Sequence, residues 1–168
     1  MSETIERHTI TVLVDNEAGV LARVVGLFSG RGYNIESLTV AEVDPMARTS
    51  RITIVTSGTP PVIEQIEAQL SRIVPVHRVT NWTSAKAGIE REMALIKVAG
   101  TGDKRMEALR MADAFLARAV DTTHTSFVFE ITGAPGKIDS FIDLMRPLGL
   151  VDVSRTGVAA ISRGPEAM

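Results

Sequence analysis

The chain has 168 residues, 45% of them hydrophobic and 23% charged, with a formal net charge of −2. These values suit one folded domain or two small ones and exclude a wholly disordered chain or a fibre. They give no basic surplus for a predominantly electrostatic nucleic-acid binder, and the lack of cysteine removes disulfides, thiolate nucleophiles, Fe–S clusters and thiolate zinc sites.

Met1 to His8 is polar and mixed in charge, with no apolar signal core. No apolar run approaches the ~20 residues that span a bilayer. The expectation is a cytoplasmic protein with neither a membrane nor a nucleic-acid partner.

Thr9–Val14 alternates as a strand, with Ile10, Val12 and Val14 on one face. Val20–Arg31 places Leu21, Val24, Val25 and Phe28 at helical spacing, and Gly30 and Gly32 stop it. Asn34–Val43 and Arg48–Ser57 read as strands around a loop at Asp44–Ala47. Pro60 and Pro61 open a second helix whose stripe is Val62, Ile63, Ile66, Leu70 and Ile73. Val76–Trp82 is a fourth strand. This β-α-β-β-α-β order predicts a ferredoxin-like α+β domain over 1–82, with one antiparallel sheet and both helices on one face.

The polar stretch 83–92 is the predicted linker. A second α+β domain over 93–168 then repeats the architecture. Its strands are Met93–Ala99, Val120–Thr123, Ser126–Thr132 and Val151–Ser162, the last interrupted by Gly157. Its helices are Asp103–Ala119, with Leu109, Ala112, Phe115, Leu116 and Ala119 inward, and Pro135–Arg146, with Ile138, Phe141, Ile142 and Met145 together. Two cores this small predict mutual packing or oligomerisation.

No catalytic set emerges. His8, His77 and His124 are scattered, without a carboxylate at metal-ligand spacing. The run Gly133–Lys137 fails as a phosphate loop, because Ile131 and Ile138 stand where a glycine and a hydroxyl are required. The informative segment is Asp15 to Leu38. A helix start there leaves backbone N–H groups open and concentrates partial positive charge, which suits an amino-acid carboxylate. Gly19 lets the backbone approach a ligand, and oxygens of Asp15, Asn16 or Asn34 suit its ammonium group. Val20, Leu21 and Ile35 supply apolar lining. The same residues also make sense without a ligand, with Asp15 and Asn16 as helix caps, Gly19 relaxing the loop and Asn34 making a turn.

The run Asp15-Asn16-Glu17-Ala18-Gly19-Val20-Leu21-Ala22-Arg23-Val24 resembles the first loop and helix of an ACT regulatory domain. Its continuation from Gly26 to Leu38 is narrower and resembles the small, regulatory subunit of acetohydroxyacid synthase, also called acetolactate synthase. The likeness continues through Glu64–Glu67, Gln69-Leu70, Arg91–Val98, Thr132–Ile138, Arg155-Thr156-Gly157 and Ser162-Arg163-Gly164. The resemblance implies two ferredoxin-like domains, the first an ACT domain, in a non-catalytic chain without cofactors of its own. It implies a large catalytic subunit as partner, carrying thiamine diphosphate, Mg²⁺ and FAD. Further implications are activation of that subunit, feedback inhibition by valine or a related branched-chain amino acid, and a homodimer of ACT domains with the effector at its interface. By motif, the effector loop is Asp15, Asn16, Ala18, Gly19, Val20 and Leu21 of one protomer, with Asn34 and Ile35 of the other. The Asp44–Ser50 loop is longer than that family leads one to expect. The alternatives left open are a stand-alone amino-acid sensor and a metal-responsive or nucleic-acid-binding regulator.

Overall fold

The computed structural model describes residues 3–86 and 88–168. They divide into two units, Met1–Ile89 with Val158–Met168, and Glu90–Gly157. In the first, the elements are β1 (Glu6–Asp15), α1 (Val20–Arg31), β2 (Ile35–Asp44), β3 (Thr49–Gly58), α2 (Pro60–Ser71) and β4 (Val76–Asn81). The sheet order is β2-β3-β1-β4, antiparallel throughout, which is the arrangement the element order predicts. Alternation decides what is inside. Ile10, Val12 and Val14 pair with or flank Ile52 and Ile54, and α1 and α2 cover them with Val24, Phe28, Ile63, Ile66 and Leu70. Leu21, expected on the apolar stripe, is instead 41% exposed. Val20, Val24 and Phe28 hold the buried positions of that helix.

The other face of this sheet is polar yet covered. Thr9, Thr11, Thr53 and Val55 are all buried. Trp82, expected in the fourth strand, opens a four-residue helix, α3 (Trp82–Ala85). The Asn81 side chain accepts from the N–H groups of Thr83 and Ser84, and the Trp82 indole N–H donates to Thr11 Oγ1 at 2.7 Å. The C-terminal segment lies on the same face. Thr39 Oγ1 donates to the Val158 carbonyl, and the Val158 N–H donates to Ser37 Oγ. Antiparallel sheets commonly leave one face to water, but here the chain's own end covers it.

The stretch read as a linker, 83–92, therefore holds most of α3 and the start of β5 (Gly88–Ala99). The second unit continues with α4 (Asp103–Ala114), β6 (Arg118–Thr122), β7 (Ser126–Gly133), α5 (Pro135–Met145), a short 3-10 turn (Arg146–Leu148) and β8 (Leu150–Arg155). The order β6-β7-β5-β8 repeats that of the first unit. Ala94, Ile96, Val98, Phe127, Phe129 and Ile131 from the sheet meet Ile138, Phe141, Ile142 and Met145 from α5. Phe129 and Phe141 pack edge-on. The strand expected over 151–162 is two strands, β8 and β9 (Ala159–Ser162), and β9 lies in the first unit.

Helix α4 stops five residues earlier than its apolar pattern suggests. Leu116 takes a φ of 57° and is 85% exposed, and Ala119 is exposed on β6, so neither faces the core. A left-handed leucine costs ~1–2 kcal/mol, a cost that asparagine largely avoids. Leu116→Asn is therefore expected to stabilise the chain by up to about 1 kcal/mol, read as a higher denaturant midpoint. A lower midpoint would mean that Leu116 packs more than its exposure implies.

Candidate functional site

The turn from β1 into α1 has an unusual start. Gly19, the residue before the helix, has φ 86° and ψ −8°, and a Cβ built on it meets nothing within 4 Å. Among the described residues no side chain caps α1, and its first turn carries no acidic residue. The Val20 N–H donates to the Glu17 carbonyl at 3.5 Å, which leaves those of Leu21 and Ala22 without an acceptor among the described residues and without an acidic side chain in that turn to answer them. Asp15 and Asn16 do not cap the helix. The Asp15 carboxylate is held by His77 Nε2, and its N–H donates to the Pro75 carbonyl. The Asn16 Nδ2 donates to Glu42 Oε2, and its N–H donates to the Arg48 carbonyl at 2.7 Å. With its amide nitrogen pinned, Asn16 keeps Oδ1 as a free acceptor.

Glu17, Ala18 and Gly19 are exposed at the turn, and Leu21 is exposed beside them on α1. Val20 is 3% exposed and belongs to the core rather than to an open lining. Asn34 is exposed, while Ile35 packs partly against the core; the Asn34 carbonyl accepts from Thr56 Oγ1 at 2.6 Å. The structure therefore brings Asp15 to Leu21 together and leaves Asn34 and Ile35 elsewhere. They follow the far end of α1, whose 12 residues span roughly 18 Å.

Glu42, Arg48 and His77 were not singled out by the sequence. They reach Asp15 and Asn16 through strand pairing and the 45–48 turn, and no local pattern marks them. That turn is tight. Asp44 Oδ1 accepts from the N–H groups of Met46 and Ala47, and Arg48 has φ 53°. Among the described residues no group of three or more His, Cys, Asp or Glu side chains is placed to hold a metal ion. No helix among them is long and apolar enough to cross a membrane.

Two family models match, "AHAS small subunit-like ACT domain" over residues 10–78 and "Small subunit of acetolactate synthase" over residues 91–164. A probable acetolactate synthase small subunit of Archaeoglobus fulgidus is 45% identical over 158 residues, 94% of this chain and 98% of that protein. The acetolactate synthase isozyme 3 small subunit of Escherichia coli is 43% identical over 163 residues, 96% of this chain and 99% of its own length. A crystal structure of the small subunit of acetolactate synthase from Thermotoga maritima superposes with a TM-score of 0.82 at 36% identity, covering 96% of this chain and 99% of that one. With both halves matched in order and relatives aligned nearly end to end, the chain belongs to the acetolactate synthase small-subunit family, and its first half is an ACT domain.

Proposed function

We propose that this chain is the regulatory subunit of an acetolactate synthase. It activates a large catalytic subunit that carries thiamine diphosphate, Mg²⁺ and FAD, and it makes that enzyme sensitive to a branched-chain amino acid, valine first. The carrying observation is that the uncapped start of α1 lies beside the Glu42 end of β2, and β2 is an edge strand. An unpaired ten-residue edge invites a second strand. A two-fold axis through the middle of β2 would pair it antiparallel with its copy. Ile35 of one protomer then stands opposite the Asp44 end of the other. The roughly 18 Å that separate Gly19 from Asn34 within one chain vanish across that pair.

In this arrangement the effector's carboxylate meets the open N–H groups of α1. Its ammonium group meets Asn16 Oδ1 and the partner's Asn34, and its side chain lies near Leu21 and the partner's Ile35. A charged side chain there would lose hydration without compensation. Added methylenes discriminate by only ~1–3 kcal/mol, so leucine and isoleucine compete with valine. Inhibition requires that the effector favour one conformation of the complex over another.

Reconstitution with the cognate large subunit tests the reading. Acetolactate formation should rise on mixing and fall again with valine. No activation with a native partner would instead point to a stand-alone sensor. Gly19→Asp sharpens the test, since aspartate tolerates the left-handed backbone better than most residues and also suits a helix start. Its carboxylate would sit about 4 Å from the ligand's own, a repulsion of about 4 kcal/mol at an effective dielectric of 20. Valine affinity is expected to fall at least about 100-fold with activation retained. Asn34→Ala should also weaken it. Mixing Gly19→Asp with Asn34→Ala chains should restore one intact site per mixed dimer. If mixing restores no sensitivity, the effector does not bridge protomers.

A further inference from the structure

The outer face of the first unit's sheet carries a cavity that shares no residue with the α1 site. Its volume is about 430 Å³, within the ~300–1,000 Å³ of small-molecule pockets. Leu13, Arg51 and Val43 form one wall, and the C-terminal segment, with Ile161, Glu166 and Met168, forms the other. Among the described residues Arg51 is the one cationic side chain lining it. Its Nε is buried without a hydrogen-bond partner, and one Nη donates only to the Met168 thioether at 3.4 Å, a weak acceptor. Burial accordingly lowers its pKa. Partly buried cations are normally paired.

A guanidinium without an ion pair among the described residues, beside branched apolar walls, has a complement of defined chemistry. We propose that this cavity binds a small carboxylate with a branched apolar body, its carboxylate on the Arg51 fork and its hydrocarbon against Leu13, Val43 and Ile161. Such a molecule is either a free carboxylic acid or an α-amino acid. In the second case Glu166, which also lines the cavity, offers a counter-charge to the ammonium group.

Methyl-resolved NMR on the full chain tests this, with isovalerate and valine titrated separately into the parent, Gly19→Asp and Arg51→Met. Methionine keeps the apolar stem and removes the fork. The expected result is shifts at the methyl groups of Leu13, Val43 and Ile161 in the parent. They persist in Gly19→Asp, and in Arg51→Met binding weakens at least about tenfold. Arg51→Lys, which keeps the charge but not the fork, should fall between and guards against a folding defect in Arg51→Met. Tighter binding of isovalerate identifies the free acid, and tighter binding of valine the amino acid; either supports the site. The proposal is overturned if neither ligand shifts these methyls, if Arg51→Met binds as the parent does, or if the shifts vanish in Gly19→Asp.

Discussion

An Arg155→Met chain is expected to lose about 3–5 kcal/mol of stability in its second unit at neutral pH. Arg155 Nε and Nη2 clasp both oxygens of Glu92, at 2.7 and 2.8 Å, and Nη1 reaches Asp139 on α5 at 2.6 Å. The Glu92 side chain is 4% exposed, the Arg155 side chain 32% and Asp139 59%. Hydrogen bonding to Glu92 raises the Arg155 pKa further above its ordinary value, burial opposes the rise and Asp139 adds to it. The two partners are therefore not equivalent. Removing the arginine strands a carboxylate inside the protein. Removing the carboxylate leaves a third-exposed arginine that still has Asp139. Glu92→Gln is accordingly expected to cost less, about 1–2 kcal/mol.

Gly149→Ala is expected to be about as damaging. Gly149 ends the 3-10 turn before β8 with φ 105° and ψ 35°. A Cβ there would lie only 1.9 Å from the Ala99 carbonyl oxygen, and the Ala99 N–H donates to the Gly149 carbonyl at 2.9 Å. The atom can be accommodated only by separating the two backbones. Left-handed strain of ~1–2 kcal/mol and overpacking of ~1–3 kcal/mol combine to about 4 kcal/mol. In calorimetry this corresponds to a Tm lower by roughly 8–16 °C for a chain of this size. A shift of a degree or two would show that the turn relaxes without disturbing β5.

Much of the fold was legible because its signals are local. Strict alternation marked Ile10, Val12 and Val14, and all three are buried. Glycines bounded Val20–Arg31, a range the structure keeps. The misreadings share a different cause. Nothing in the sequence punctuates Leu116, so an apolar pattern ran on past a left-handed residue. Glu92 looked like part of a polar linker because its partner, Arg155, is 63 residues away. At the candidate site, the open α1 start was readable from Asp15 to Leu21. The pinning of Asn16 by Glu42 and of Asp15 by His77 depends on strand pairing, which no local pattern records.

The closing of the ACT sheet by residues 158–168 has a consequence for how the chain is made. A nascent chain leaving the ribosome presents strands β1 to β4 long before the segment that covers their outer face. Until residues 158–168 have emerged, buried Val55 and the Thr9, Thr11 and Thr53 row lack part of their cover. The second unit, encoded between the two parts, is free to fold first. The half that emerges first is thus completed last. A chain interrupted before residue 158 would keep the whole second unit and have an ACT sheet whose outer face is left for chaperones or proteases to find.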